Sequence, residues 1–164
     1  KFAQLNEVQN LLKGQPDLTK GIENLIETNQ QLSKKLEEVE REKAKTIKTD
    51  LLKKIRKQNN LNVLAEIIET DSANLIKDLC FQLKNEVADL YCVLGADVDG
   101  KAMLGVAVSE NLVKERSLNA GNIIREIAKV VDGGGGGQPF FATAGGKNPA
   151  NHGKAIEKAL QMIQ

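Results

Sequence analysis

The first sixty residues carry apolar side chains at helical spacing. Near the start, Leu5, Val8, Leu11 and Leu12 share one face of a predicted helix. From residue 18 onward, apolar residues recur at alternating intervals of four and three, which is the heptad spacing of a coiled coil. This spacing predicts a dimer seam that consists of Leu18, Ile22, Leu25, Asn29, Leu32, Leu36 and Val39.

Asn29, the polar residue of this seam, leaves two alternatives open. It can be an ordinary polar interruption, or it can pair with the asparagine of a second chain and fix the register of a two-stranded coiled coil. Beyond residue 43 the apolar pattern resumes out of phase between Ile47 and Ile55. Because no Gly or Pro follows Gly21 in this region, we predict that the helix continues to about Lys57.

After residue 60 the apolar pattern changes. Residues 62–69 are β-branched and apolar enough for a strand, and Asp71 or Ser72 can cap a helix that ends near Glu86. Asp99-Gly100 separates the apolar runs 88–96 and 102–108, and this pair predicts a tight hairpin whose two central residues have positive φ. The remaining pattern predicts a helix at 119–131, an extended segment at 139–143 and a closing helix at 151–163.

These elements predict an elongated, coiled-coil-like helical region at 1–60 and a small α/β or α+β globular domain at 61–164. Charge and glycine content change at the same place. The first region holds 13 basic and 9 acidic residues, whereas the second holds 10 basic and 13 acidic residues. Twelve of the 14 glycines lie at or after Gly95, which favours a turn-rich domain in the second region.

The composition of the 164 residues narrows the class of protein. The formal net charge is +1, which argues against a uniformly basic nucleic-acid coat. No apolar run approaches the roughly 20 residues that a membrane crossing needs, so we expect no membrane partner. The first residues lack the apolar core of a signal peptide, and two cysteines with one distant His cannot form a disulfide scaffold or a four-ligand zinc site. We therefore expect a cytoplasmic protein.

Little in the chain points to catalysis. His152 has no Cys, Asp or Glu at ligand spacing and stands at the start of a predicted helix, which favours a capping or surface role. Asp97 and Asp99 are one residue apart, but the predicted hairpin already accounts for the second of them. Cys80 and Cys92 lie in apolar contexts typical of core cysteines. We expect no catalytic residue, no metal site and no cofactor in this chain.

A run of five glycines is the main candidate for binding. Glycine is needed where φ is positive or where the backbone lies flat against a ligand, and successive glycines expose N–H groups that can bind phosphate or sugar oxygens. A flexible linker is the alternative interpretation. Gly145-Gly146-Lys147 repeats the pattern, so we expect two glycine turns to converge around a short strand. The predicted site comprises Gly133, Gly134, Gly135, Gly136 and Gly137, surrounded by Lys147, Arg125, Lys129 and Lys154.

A basic stretch at the end of the predicted long helix is a second candidate. Residues 43–57 hold seven basic residues and one acidic residue, Asp50. Such a stretch can be a solvated surface, or it can bind nucleic-acid phosphates, because each neutralised phosphate releases counterions. In the second interpretation the contacts come from Lys53, Lys54, Arg56 and Lys57 on the helix.

Four motifs follow one another in the second region. They are Asp97-Val98-Asp99-Gly100-Lys101, Ser117-Leu118-Asn119-Ala120-Gly121, the five glycines, and Ala144-Gly145-Gly146-Lys147-Asn148-Pro149. In order and spacing they resemble the C-terminal domain of bacterial alanyl-tRNA synthetases. The helical half resembles the segment that precedes this domain, and the globular half is also similar to the accessory domain of DHH-type phosphoesterases.

The resemblance implies a non-catalytic fragment that binds the outer corner of the L-shaped tRNA and helps to couple aminoacylation and editing. The implied partners are tRNA, the catalytic and editing domains of the parent synthetase and, in some members, a second copy of the chain. ATP, magnesium and zinc are implied for the parent and not for this fragment. A coiled-coil dimerisation module and a phosphoesterase accessory domain remain the alternatives.

Three positions depart from the family pattern after the glycines. The family usually has Arg-Pro-Asp-Phe and a later Gln, whereas here Gln138 and Phe140 replace the Arg and the Asp, and Thr143 replaces the Gln. The charge pair of the family is therefore absent. Because aromatic residues make up only 3% of the chain, we expect recognition of RNA shape and backbone rather than stacking on unpaired bases.

Overall fold

The computed structural model describes residues 2–12 and 16–163. They form two compact units, Lys1–Lys43 and Ala44–Gln164. The fold class expected from the sequence is confirmed, since a long helix precedes a mixed α/β sheet domain. None of the helices in the described ranges has both the length and the apolar composition that a transmembrane span requires.

The first unit is helical. α1 spans Phe2–Leu11, and α2 spans Leu18–Lys53 and therefore ends in the second unit. Asp17 caps α2, because its carboxylate accepts a hydrogen bond of 3.1 Å from the backbone N–H of Lys20. The predicted seam lies on α2. Its residues from Ile22 to Val39 are exposed, for example Leu25 at 58% and Leu32 at 61%, whereas Leu18 is half-buried.

The second unit is a six-stranded sheet with helices on both faces. Its strands are β1 (Arg56–Gln58), β2 (Leu61–Ile67), β3 (Leu90–Val98), β4 (Lys101–Val108), β5 (Gly133–Gln138) and β6 (Phe141–Gly146), in the spatial order β1-β2-β3-β4-β6-β5. Its helices are α3 (Ala73–Glu86), α4 (Glu110–Glu115), α5 (Ala120–Ala128) and α6 (His152–Gln161), with 3-10 turns at Lys129–Val131 and Pro149–Asn151.

The connections follow the sequence signals closely in the middle of this unit. β2 and β3 are parallel and are joined by α3, whereas the other neighbouring strands are antiparallel. The hairpin between β3 and β4 is confirmed, because Asp99 and Gly100 have φ of 52° and 75°. Asn119 caps α5 by accepting a hydrogen bond from the backbone N–H of Asn122 at 3.1 Å.

Successive residues of the sheet alternate between two hydrophobic layers. Tyr91 and Val93 of β3 pack in one layer with α5 and α6. Cys92 and Leu94 pack in the other layer with α3 and with Leu51 at the end of α2. The period of two along β3 therefore explains why this strand is buried on both faces and reads as a continuous apolar run.

The end of the long helix was predicted wrongly. α2 stops at Lys53, and Arg56 and Lys57 belong to β1, which pairs with β2. The cause is the turn at Asn59 and Asn60, which have φ of 51° and 61° and reverse the chain. Asparagine tolerates this left-handed conformation better than most residues, so a two-residue hairpin replaces the last turn of the predicted helix.

His152 was also predicted wrongly as a capping or surface residue. Its side chain is only 4% exposed, and its Nε2 atom has no hydrogen-bond partner in the part of the chain described. A Cβ at Gly95 of β3 would lie 3.1 Å from the imidazole Cδ2 atom. The imidazole therefore occupies space that a side chain at residue 95 would otherwise fill.

Candidate nucleic-acid interface

The five glycines form a strand rather than a loop. β5, here called the glycine strand, lies at one edge of the sheet and pairs with β6 from Gly133 opposite Gly146 to Gln138 opposite Phe141. Among the described glycines only Gly100 has a positive φ, so the expected left-handed turns are absent from the glycine strand. The two glycine segments do converge, as predicted, but as paired strands rather than as turns.

Three alternate glycines are required by close packing. A Cβ at Gly133, Gly135 or Gly137 would lie 2.5 to 2.6 Å from the Cα atom of its ladder partner on β6. Contacts between carbon atoms are normally 3.5 to 4.0 Å, so any side chain at these positions overlaps the neighbouring strand. The glycines at these three positions therefore have a structural reason, because an added Cβ would run into the neighbouring strand β6.

Close packing against β6 does not account for the two glycines that alternate with these three. A Cβ at Gly134 or Gly136 would meet nothing within 4 Å, and neither residue has a positive φ. Their ladder partners are Gly145 and Thr143, so alternation along the strands places them on the sheet face opposite α5. Gly134 is exposed, whereas Gly136 is half-buried and is the least exposed of the five glycines.

The pairing of the glycine strand also changes how it can bind anions. In an antiparallel pair, alternate residues direct their N–H groups to the partner strand, and the others direct them outward. The expectation that all five N–H groups are free is therefore wrong, because β6 accepts hydrogen bonds from some of them. What the strand offers instead is a face without side chains.

Two lysines lie beside this face. Lys101 immediately precedes Ala102, which pairs with Gly146, and Lys147 immediately follows Gly146. Both lysines are exposed, and neither makes an ion pair with any residue that the structure describes. Lys147 was predicted for the site from the sequence. Lys101 was not, because its position depends on the register between β4 and β6.

The other predicted cations of this site lie on helices of the opposite layer. Lys129, in the 3-10 turn that follows α5, donates to Glu126 of α5 at 2.6 Å, and Lys158 of α6 lies 3.4 Å from the same carboxylate. Hydrogen bonds from these two lysines lower the pKa of Glu126. Arg125 contacts the Asn122 side chain at 3.4 Å, and Lys154 is exposed on α6. Arg125 and Lys154 thus keep an uncompensated charge, whereas Lys129 does not.

The basic stretch of residues 43–57 does not join the glycine strand. Lys53 pairs with Asp50 at 3.4 Å, and Lys54 pairs with Glu66 at 2.8 Å. Arg56 and Lys57 lie on β1, at the opposite edge of the sheet. Five strand spacings of about 4.8 Å separate the two edges by roughly 24 Å. The residues proposed from the sequence therefore do not form one surface. They lie at the glycine strand, on the layer of α5 and α6, and near β1.

The departures from the family pattern have visible consequences. Phe140 lies under Lys84, whose Nζ atom is 4.6 Å from the ring centroid. Thr143 stands on β6 between Gly105 and Gly136. Phe140, at the position of the family's Asp, thus makes a cation–π contact with Lys84. This contact joins α3 to the turn that follows the glycine strand.

Two titratable groups of the core, Tyr91 and Cys92, have a raised pKa, which favours their protonated forms. The neighbouring Cys80 side chain and burial raise the pKa of the Cys92 thiol. Burial, with a smaller contribution from Cys92, raises the pKa of Tyr91, whose hydroxyl donates to the Ala159 carbonyl at 2.7 Å. Within residues 2–12 and 16–163, no group of three or more His, Cys, Asp or Glu residues could hold a metal ion.

Sequence similarity to alanine-tRNA ligases extends over nearly the whole chain. It is 45% identical to the alanine-tRNA ligase of Christiangramia forsetii and 39% identical to that of Cytophaga hutchinsonii, in each case over 98% of this chain and 18% of the relative. The chain thus spans about a fifth of the length of these ligases. The resemblance drawn from the glycine and Ala-Gly-Gly-Lys motifs is confirmed by these relatives.

The fold has a counterpart among solved structures. The crystal structure of the C-Ala domain from Aquifex aeolicus alanyl-tRNA synthetase superposes with a TM-score of 0.60 at 24% identity, covering 67% of this chain and 96% of that domain. At this identity the match shows a shared fold. Residues 60–164 match the DHHA1 domain model, which begins close to the start of β2. Because this match covers more than half of the chain, the protein belongs to the DHHA1 domain family.

Proposed function

We propose that this chain is the C-terminal, non-catalytic part of an alanine-tRNA ligase, and that it binds tRNA through the edge of the sheet formed by the glycine strand. In this proposal the parent enzyme attaches alanine to tRNA and removes wrongly attached amino acids. ATP, magnesium and zinc act at sites elsewhere in the parent, in the cytoplasm. This part holds the outer corner of the tRNA while the catalytic and editing domains act.

One observation carries the proposal: the similarity to alanine-tRNA ligases extends over 98% of the chain, through the helical half as well as the DHHA1 domain. The accessory domain of a DHH-type phosphoesterase would account for residues 60–164 but not for the similarity of the helical half. The exposed glycine strand and its unpaired lysines supply a surface on which an RNA backbone can lie.

A salt titration of tRNA binding tests the proposal. Two cations beside the glycine strand have no carboxylate partner among the described residues, Lys101 and Lys147, and they predict a slope of about −1.4 to −1.8 in log K against log salt. Affinity should then fall about 7- to 12-fold between 50 and 200 mM salt. No binding at micromolar protein in 50 mM salt, or binding that salt leaves unchanged, would overturn the proposal.

A pair of matched variants separates specific contacts from net charge. Lys147→Gln should weaken tRNA binding and reduce the salt slope by about 1. Lys114→Gln removes the same charge from α4, which follows the other end of β4, and should leave the affinity close to that of the unchanged chain. Equal losses in the two variants would indicate unspecific attraction instead of a contact at the glycine strand.

Dimerisation is a second candidate function, favoured by the exposed seam on α2. Ile22, Leu25 and Val39 are 45%, 58% and 65% exposed, which is unusual for apolar residues at heptad spacing on a solvated helix. Sedimentation of the chain over a range of concentrations should show a dimer, and Asn29→Leu should change the assembly if the seam is shared. A monomer at every concentration would remove this candidate.

A further inference from the structure

The second unit contains a cavity that none of the functions considered above uses. It lies between the end of α3 with the loop that follows it and the start of α4, and residues 84–88 and 109–111 line it. Its volume is about 440 Å³. Binding sites for small molecules have volumes of about 300–1,000 Å³, so this cavity has the size of a site for a small ligand.

Lys84 brings a buried positive charge to this cavity. Its side chain is only 9% exposed, although lysine is rarely buried this far without a partner. The Nζ atom lies 4.6 Å from the ring centroid of Phe140 and 3.6 Å from a carboxylate oxygen of Glu110. The second distance is longer than a hydrogen bond, and no other acceptor in the part of the chain described lies at hydrogen-bond distance from Nζ. The N–H groups of this ammonium are therefore available to a ligand.

Ser109 supplies a second buried donor. The residue is 7% exposed, and its Oγ atom accepts a hydrogen bond of 2.8 Å from the backbone N–H of Leu90, which fixes the position of the hydroxyl. A hydroxyl also has one proton to donate, and among residues 2–12 and 16–163 no acceptor for this proton lies at hydrogen-bond distance. Buried donors without acceptors are unfavourable. Two elements of the fold thus place unused donors at one cavity.

The carboxylates of the cavity limit the charge of a ligand. Glu86 is paired with Lys48 at 2.6 Å, and Glu110 is 69% exposed beside the Lys84 ammonium. Two carboxylates at the cavity repel a ligand with two negative charges, such as the phosphate dianion. One negative charge suffices to pair with Lys84. The donors and the carboxylates together therefore favour a monoanion with two acceptor oxygens, which is the chemistry of a carboxylate.

We propose that this cavity binds a small organic acid, whose carboxylate accepts hydrogen bonds from Lys84 Nζ and Ser109 Oγ. The apolar part of the acid lies beside Val87 and Ala88, which line the same cavity. On binding, the ligand carboxylate replaces the exposed side chain of Glu110 as the nearest anion to Lys84. The site is independent of the proposed function, because its occupation requires no tRNA.

Titration of the 164-residue chain with sodium benzoate, followed by ¹H–¹⁵N NMR, tests the site. The backbone amide signals of Lys84 and Ser109 should shift with a dissociation constant of about 1 mM, as expected for a ligand of this size. Acetate should bind more weakly, because it lacks the apolar part, and inorganic phosphate at the same ionic strength should bind more weakly than benzoate. Unchanged amide signals at benzoate concentrations well above this value would overturn the proposal, and so would phosphate that binds as tightly as benzoate.

Three variants locate the binding. Lys84→Met keeps the length of the side chain and should weaken benzoate binding about tenfold or more, because a charge-assisted hydrogen bond is lost. Its melting temperature should stay unchanged or rise, since the ammonium makes no hydrogen bond in the free chain. Lys77→Met removes the same charge from an exposed position of α3 and should bind as the unchanged chain does. Glu110→Gln removes the competing carboxylate and should strengthen binding about fivefold, which corresponds to two unit charges about 4 Å apart in water.

The remaining outcomes are equally decisive. Equal losses in Lys84→Met and Lys77→Met would show unspecific attraction and overturn the site. A lower melting temperature of Lys84→Met with unchanged benzoate affinity would make Lys84 a structural cation instead. Weaker binding in Glu110→Gln would contradict the competition between Glu110 and the ligand. A polypeptide can also carry a carboxylate, so the peptide acetyl-Ala-Asp-Ala-amide is titrated in parallel, and tighter binding of this peptide than of benzoate would overturn a small acid as the ligand.

Discussion

Exchanging glycine for alanine along the glycine strand should give stability changes that alternate in sign. In Gly135→Ala the new Cβ would lie 2.5 Å from the Cα atom of Ala144, about 1 Å closer than carbon atoms normally approach. The strand must move away from β6, and such overpacking costs about 1–3 kcal/mol. Gly134→Ala meets nothing and should gain about 0.5–1 kcal/mol, because alanine restricts the unfolded chain.

The two variants should therefore differ by about 1.5–4 kcal/mol, which corresponds to a separation of roughly 6–16 °C in melting temperature at about 4 °C per kcal/mol. Tyr91 provides the signal, because it is the one tyrosine of a chain without tryptophan and is fully buried in the second unit. Its fluorescence reports the sheet and not the exposed part of α2. Equal melting temperatures for the two variants would refute the assigned strand pairing and would favour a flexible glycine linker.

Three further predictions concern single groups. Tyr91→Phe removes the hydroxyl that donates to the Ala159 carbonyl and should lower the free energy of unfolding by about 1 kcal/mol in a urea titration followed by circular dichroism. Lys129 and Lys158 lower the pKa of Glu126 in the folded chain. The Glu126 carboxylate therefore stabilises the fold at pH values above the ordinary carboxyl pKa, and this stabilisation is lost as the pH falls through the lowered pKa. In Glu126→Gln the melting temperature should lose this dependence on acidic pH. Asp132→Asn removes the carboxylate next to Gly133 while keeping a residue that tolerates the φ of 53°, and tRNA affinity should rise at low salt with little change in melting temperature.

Local signals in the sequence predicted those parts of the fold that neighbouring residues determine. The Asp99-Gly100 hairpin and the cap at Asn119 follow from turn and helix chemistry within a few residues. The helix after Ser72 also forms, although the Ser72 side chain makes no capping hydrogen bond within the described residues. The Asn59-Asn60 turn was predictable by the same chemistry. It was missed because the apolar residues up to Ile55 continue the helical spacing, and spacing alone does not show where a helix ends.

The candidate site depended on longer-range relationships. Five consecutive glycines look identical in a sequence, and a strand of period two divides them into two sets only when a partner strand is present. Lys101 and Lys147 are adjacent because β4 and β6 pair in one register, which no local pattern specifies. Likewise, the sequence could not separate Lys129 from Arg125, because Glu126 neutralises the first through a contact that also involves Lys158.

The charge distribution sets the strength of binding that the proposed function requires. With a net charge of +1, the chain exerts little long-range attraction on RNA, so affinity must come from local contacts of individual cations. Such a surface binds weakly alone. Under the proposed function, however, the chain acts while joined to domains that hold the same tRNA, and such linkage raises its effective concentration to about the millimolar range. Micromolar affinity of the isolated chain would then give nearly complete occupancy in the parent enzyme, and release of the tRNA would remain fast.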